Sequence, residues 1–238
     1  MMDQRKASTV GQATATILPD FSTPWKLASF GELDSLITVV SHGKSIDIQD
    51  ERGFTPLCWA SRNGHQQVLS YLIEKKCSVE TPSFGGLRPL HHACNKNNEN
   101  VARVLISSGA LVNAIDDNGD TALHYAAARG ILNTVITLIE SGAIVGTANG
   151  QGVTPIHKAA IFGQYTVVRR LIETGADINC VDLQGDSPLH YASKCGFPLI
   201  IKLLLDNGAN SVARNNAGAI AKDVAGTTTV AQLLSATA

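Results

Sequence analysis

Apolar residues along this chain fall in pairs one helical turn apart, and the pairs recur at a fixed distance. Val68, Leu69, Leu72 and Ile73 form one set; Val167, Val168, Leu171 and Ile172 form another, and Ile200, Ile201, Leu204 and Leu205 a third. Such i, i+1, i+4, i+5 spacing lays a single buried stripe on a short helix. Ahead of these stripes lies a shorter stretch that opens with a hydroxyl residue and proline: Thr55-Pro56, Thr154-Pro155, Ser187-Pro188. The hydroxyl can cap orphan N–H groups and proline suits the first helical position. The pattern predicts two short helices per segment, the first of about one and a half to two turns.

Glycines set the period. Gly53, Gly86, Gly119, Gly152, Gly185 and Gly218 stand 33 residues apart without slippage. The first helix should end at Gly64, Asn97, Gly130, Gly163 and Gly196, where a left-handed residue reverses the chain; asparagine is the substitute that best tolerates that conformation. The second should end at Gly43, Lys76, Gly109, Gly142, Gly175 and Gly208, before an extended segment such as Ala176–Gly185. One such unit cannot cover its own apolar face, so successive units must stack in one dimension.

The stretches TALHYAAARG (Thr121–Gly130), TPIHKAAIFG (Thr154–Gly163) and SPLHYASKCG (Ser187–Gly196) resemble the ankyrin-repeat signature, and GADIN (Gly175–Asn179) and GALVN (Gly109–Asn113) its second half. The resemblance covers about residues 21–238. It implies an all-α solenoid of helix-turn-helix units with β-hairpin-like fingers along one edge, about seven repeats including atypical caps. The units run about 21–52, 53–85, 86–118, 119–151, 152–184, 185–217 and 218–238. In the first, Trp25 and Phe30 are expected to shield the open end. In the last, Lys222 and Asp223 replace the apolar residue and the histidine, which suits an uncovered face. Residues 1–20, rich in Ser, Thr, Ala and Gln, read as disordered; Arg5 to Ser8 resembles a basophilic kinase site.

Composition narrows the classes. Hydrophobic residues make up 44% and charged residues 16%, which argues for a folded chain. The net charge of −1 lacks the basic excess of a nucleic-acid binder. Nothing approaches the ~18 apolar residues of a membrane span. Five cysteines without a C-x-x-C pair suggest a reduced cytoplasmic protein, with the nucleus also open, and a monomer is expected.

Chemistry is tempting at the histidines, but His91, His124, His157 and His190 fall on the period itself. Residues recurring once per unit lie in a row at ~10 Å intervals and cannot converge on one zinc, whose ligands lie within ~2.3 Å. The resemblance implies that they support the helix start beside the Thr-Pro turn. Cys94 lies near His91 and His92, but it aligns with Ser61, Ala127, Ala160 and Ser193 and reads as a packed small residue. His42 and His65 sit near turns without an obvious partner. Neither a nucleophile elbow nor a phosphate loop occurs. No enzyme activity, metal or cofactor is expected.

Three series remain for a partner. Trp59, His92, Tyr125, Lys158 and Tyr191 follow the periodic position and are expected on the concave side, either as interface anchors or packed sideways on neighbouring helices. Phe54, Leu87, Asp120, Val153 and Asp186 mark the finger tips. The finger Val79–Arg88 departs from the others at Glu80, Ser83 and Arg88, and Phe84 and Leu87 there are expected to be exposed, as a docking site or in a merely degenerate repeat. At the ends of the first helices, Arg62, Lys96 and Arg129 suit an acidic, partly apolar partner protein. The expected function is a non-catalytic interaction scaffold, adaptor or inhibitor. A pathogen or symbiont effector binding a host protein, or a gankyrin-like proteasome-assembly chaperone, is the alternative.

Overall fold

The computed structural model describes residues 23–236. The segment 1–20, the kinase-like site at Ser8 and the start of the first unit at residues 20–22 lie outside the described residues. Six helix pairs follow one another: α1 (Pro24–Phe30) with α2 (Leu33–Ser41), α3 (Pro56–Asn63) with α4 (Gln66–Glu74), α5 (Pro89–Asn95) with α6 (Glu99–Ser107), α7 (Ala122–Arg129) with α8 (Leu132–Glu140), α9 (Pro155–Ile161) with α10 (Tyr165–Glu173), and α11 (Pro188–Cys195) with α12 (Pro198–Asp206). A last helix, α13 (Thr228–Ala236), packs on α12. First helices pack on first helices, from α1 through α11, and second helices from α4 through α12 form the other layer. The chain is an all-α solenoid.

Local chemistry places the helix ends. Pro56, Pro89, Pro155 and Pro188 open their helices, and the Thr55 hydroxyl accepts from the Cys58 N–H at 3.1 Å. Both turn series hold positive φ throughout. Among the described residues the only non-glycines to do so are Lys76 and Asn97, each at φ 62°, and both occupy series that elsewhere carry glycine.

The paired stripes form the core, with Val68, Leu69, Leu72, Val167, Val168, Leu171, Ile200, Ile201 and Leu204 all buried. Each contributes about 1.5–3 kcal/mol once a neighbour covers it. Cys94 is wholly buried like Ser61, Ala127, Ala160 and Ser193, and burial raises its thiol pKa. It is packing, not a nucleophile. Cys77 is pushed up to about 12, first by burial and then by Asp47.

Polar ties cross every kind of boundary in the stack. The backbone N–H groups of Arg88, Thr121, Thr154 and Ser187 donate to Nδ1 of His91, His124, His157 and His190 at 3.0, 3.0, 3.1 and 3.2 Å. This supports the helix start as the family resemblance implies, and it fixes the tautomer. The proton sits on Nε2, which donates to the carbonyls of Ala114, Val153, Asp186 and Ala219 at 3.0, 3.0, 3.2 and 3.2 Å. The carbonyls of Val153, Asp186 and Ala219 belong to the following unit, so those three imidazoles also join two units, while His91 reaches the start of the following finger within its own unit.

The residue before the second helix reaches the other way. His65 Nε2 donates to the Ser29 carbonyl at 3.1 Å, Asn98 Nδ2 to those of Ser61 and Arg62 at 2.9 Å each, and Gln164 Nε2 to that of Ala128 at 3.2 Å. These serve the carboxyl ends of the preceding first helices. His65 is therefore partnered, and His42 is too, through its Nδ1 to the Thr38 carbonyl at 2.7 Å. A third series caps the next unit's loop: Asp47, Glu80, Asn113 and Asn179 accept from the N–H groups of Ser78, Leu111, Ile144 and Asn210. Glu80 does this job with a longer arm.

The fingers are tight turns, and the one isolated bridge among the described residues joins Ile115 and Thr121. Their tips are linked by a backbone ladder. The N–H groups of Phe84, Asp117, Gly150, Leu183 and Asn216 donate to the carbonyls of Arg52, Gly85, Asn118, Gln151 and Gln184 at 2.8–3.0 Å.

At the open end Phe30 is 60% exposed and Trp25 is half-buried. Residues 219–225 form turns rather than a helix. Asp223 takes the histidine's local role there, accepting from the Ile220 N–H at 3.0 Å, and both Lys222 and Asp223 are exposed as expected. Ala221 alone of this short segment is fully covered, so little neighbouring surface favours completing a helical turn.

Two stability measurements follow. Lys76→Gly should raise the urea-unfolding free energy by about 0.5–1 kcal/mol, because an exposed left-handed residue loses its steric cost; no gain would mean that the lysine is otherwise held. Burial lowers the pKa of His91, His124 and His157 despite their carbonyl acceptors. A folded pKa below the unfolded value of about 6.5 means full stabilisation above that pH and loss as pH falls through it. Melting temperature should therefore be flat above neutrality and fall under mild acid. His124→Ala should cost about 1–3 kcal/mol at neutral pH and reduce that acid dependence.

Candidate functional site

Beside the fingers, the exposed face of the first-helix layer is organised by a series set at the finger turns: Asp50, Ser83, Asp116, Asn149, Asp182 and Asn215. Asp50 Oδ1 accepts from the N–H groups of Arg52 and Phe54 at 2.9 and 2.8 Å. Asp116 does the same for Asn118 and Asp120, and Asp182 for Gln184 and Asp186. Asn149 and Asn215 repeat it with their amide oxygens. A short side-chain acceptor that ties down two N–H groups ahead is what makes a tight turn of this kind.

The second oxygen of each aspartate meets the predicted aromatic row. Trp59 Nε1 donates to Asp50 Oδ2 at 2.9 Å, and the Tyr125 hydroxyl to Asp116 Oδ2 at 2.6 Å. The Tyr191 hydroxyl donates to Asp182 Oδ2 in the same way. Burial, and then the hydrogen bond to aspartate, raises the pKa of both tyrosines. The asparagines turn their second atom backwards instead: Nδ2 of Asn149 donates to Asp120 Oδ1, and that of Asn215 to Asp186 Oδ1, each at 2.7 Å. Lys158 Nζ completes the shell of the buried Asp120 carboxylate at 3.0 Å. The row is thus a set of clamps on the fingers. Trp59, Tyr125, Lys158 and Tyr191 remain half-buried.

Two of the expected partner residues are not on the surface. His92 is 3% exposed. Its Nε2 donates to the Ser83 hydroxyl at 2.8 Å, which in turn donates to the Leu87 carbonyl at 3.0 Å. Burial, with Arg62 adding, holds the imidazole down to about 3, so it stays neutral. Phe54 is 8% exposed, with its ring centroid 4.8 Å from Trp59 and 4.6 Å from His92. Asp120 and Val153 are buried as well, so the finger-tip series is largely internal. The cause is cover from the following finger and first helix: His92 packs on Phe54, and Asn149 and Lys158 close over Asp120.

The irregular finger resolves into a working variant. Ser83 with His92 replaces the aspartate and its ring, and Glu80 pairs with Arg88 at 2.8 Å. An added left-handed glycine, Gly85, lets the tip project Phe84, which is 85% exposed; Leu87 is half-buried rather than exposed. At the first-helix ends, Lys96 and Arg129 are exposed, and Arg129 Nε donates to Asn95 Oδ1 at 2.8 Å. Arg62 is half-buried, with its guanidinium 5.8 Å from the Phe54 ring centroid. A shallow cavity of about 260 Å³ opens between α7 and α9, reaching Asn95 and Arg129 at one side and Lys158 and Phe162 at the other. The aspartate–asparagine series, from which Ser83 departs, stands on the same 33-residue period as the glycines, but its hold on the aromatic row has no signature in sequence.

Among the described residues, no group of three His, Cys, Asp or Glu side chains is arranged to hold a metal ion, and no helix is long and apolar enough to cross a membrane. No curated protein sequence matches the chain. Among solved structures, the ankyrin repeat domain of human ASB11 superposes with a TM-score of 0.84 at 26% identity, over 90% of this chain and 97% of that one. The ankyrin repeat domain of Bcl-3, described as a unique member of the IkappaB protein family, gives 0.76 at 26% identity, over 89% and 97%. Ankyrin repeats are in general protein–protein interaction modules, and proteins built from them are typically non-catalytic. Models of ankyrin repeats match residues 25–116, 80–149 and 156–205; with that period, these helix pairs and these neighbours, the chain belongs to the ankyrin-repeat family.

Proposed function

We propose that this chain is a non-catalytic scaffold, an adaptor or inhibitor, that holds a partner protein with an acidic and partly apolar surface along its concave first-helix face, with Phe84 as an outlying contact. One observation carries the reading. The two positions that close the first helices are Arg62, Asn63, Asn95, Lys96, Ala128, Arg129, Ile161, Phe162, Lys194 and Cys195. They include four bases and no acid, in a chain with 19 basic and 20 acidic residues. Positive charge there complements the helix carboxyl ends, and it also leaves one edge of the stack cationic with exposed Phe162 set into it. Fields of one sign steer an oppositely charged partner and set its register.

Trp59, Tyr125 and Tyr191 offer their open ring faces to such a partner, while their polar ends stay on the fingers. Lys158 has donors left beyond its bond to Asp120. Phe54 and His92 act from beneath, by holding the finger that presents Phe84. The five free thiols suit a reducing compartment such as the cytoplasm.

The test is capture from native lysate, quantified by mass spectrometry for the intact chain and for a triple variant, Phe84→Ala with Lys96→Glu and Arg129→Glu. All three sites are exposed, so the melting temperature should hold while recovery of the specific partner falls roughly tenfold or more, and added salt should weaken capture by the parent. Undiminished capture by the folded triple variant would place the binding surface elsewhere on the stack.

A further inference from the structure

The cavity between α7 and α9 has chemistry of its own. Arg129 spends its Nε on Asn95, which fixes the plane of the guanidinium and leaves both terminal amino groups free to donate. Lys158 spends one of three donors on Asp120. Asp120 also lines the cavity, but it is only 6% exposed and its other oxygen accepts from Asn149. It therefore neutralises Lys158 without presenting an acceptor of its own to a guest. Asp116 lies outside the lining, with both oxygens engaged by its own finger and by the Tyr125 hydroxyl. What remains is a pocket with one uncompensated positive charge, several unspent N–H donors, and an apolar wall made by Ala128 and the 56% exposed ring of Phe162.

Resting on the concave-face reading, we infer that this cavity receives the carboxylate of a glutamate or aspartate from an acidic segment of the partner, held by Arg129 and Lys158, with the apolar residue next to it lying on Phe162. A guanidinium fixed by a neighbour presents two parallel donors, the geometry that a carboxylate matches. One uncompensated charge suits a monoanion better than a phosphoryl group carrying about −1.5 to −2. The volume of about 260 Å³ suits one side chain rather than a whole cofactor. Lys96 and Lys194 on the flanking helices extend the same sign of charge beyond the pocket, so further acids in the segment would find partners along the edge.

The experiment uses the intact chain as bait for a phage-displayed library of random short peptides, followed by fluorescence anisotropy with the synthetic winners. The winners should carry Glu or Asp beside an aromatic or branched aliphatic residue. Replacing that acid by its amide in the peptide, or Arg129→Gln in the protein, should each weaken binding roughly tenfold. The two changes together should cost little more than one, because they remove the same contact. Phe162→Ala should weaken binding several-fold, and an unchanged melting temperature for each variant excludes loss of fold. Winners without an acid, winners indifferent to Arg129→Gln, winners displaced by inorganic phosphate more readily than by the amide change, or no winners at all would overturn the inference. Partner capture by the Lys96 and Phe84 surface is read separately, with a Phe84→Ala, Lys96→Glu double variant that leaves Arg129 in place. If the double variant loses the partner while the peptide selection fails, only the pocket assignment falls; if it keeps the partner as well, the concave-face reading goes with it.

Discussion

Helices of seven to nine residues cannot satisfy their own ends, and this is the constraint on which the rest of the molecule depends. Each leaves four N–H and four C=O groups without an intrahelical partner. In helices this short, that is most of the backbone. The chain meets the demand across unit boundaries: imidazoles close the amino ends of the first helices and reach the next finger, while His65, Asn98 and Gln164 serve the carboxyl ends behind them. Apolar burial supplies the driving force for stacking, but it is indifferent to small slips. The polar ties are not, because a slipped unit would strand buried donors and acceptors.

The same constraint explains why so many chemically suggestive side chains are taken up by structural bonds. Histidine is suited to the periodic position because one nitrogen accepts and the other donates, which lets a single ring join a helix start to a carbonyl in the next unit. The aspartates at the finger turns are likewise consumed, one oxygen by backbone and the other by a ring. The side chains that the ties do not use up are the ends of Lys96 and Arg129 and the ring of Phe84, and these are the ones the proposed partner surface draws on.

The period, both turn series and the paired stripes were legible in the sequence because each is a local requirement. Lys76 and Asn97 break the glycine pattern in composition, yet both keep its positive φ, so the repeat could be followed through them. What could not be read was which polar or aromatic residue ends up covered. Phe54 follows a turn glycine and looks like a tip, but its burial depends on His92, which belongs to the next unit. The turn at residues 219–225 shows the same limit, since its sequence carries helix-forming residues without a following surface to settle on. The cavity beside Arg129 needed three helices at once and had no signature in any one segment.

The alternation of aspartate and asparagine along the fingers gives the solenoid two kinds of joint. Where asparagine stands, at 149 and 215, its amide bolts one finger to the acid of the finger before it. Where aspartate stands, at 116 and 182, the second oxygen is taken by a tyrosine nine residues on, and the step from the previous finger has the backbone ladder and an imidazole but no such amide bolt. Thermal bending should then concentrate at alternate steps instead of spreading evenly, so that the stack flexes like a rod of stiff double segments. A partner lying across several units would feel that graded compliance as a choice of where the surface yields to fit it and where it must be fitted.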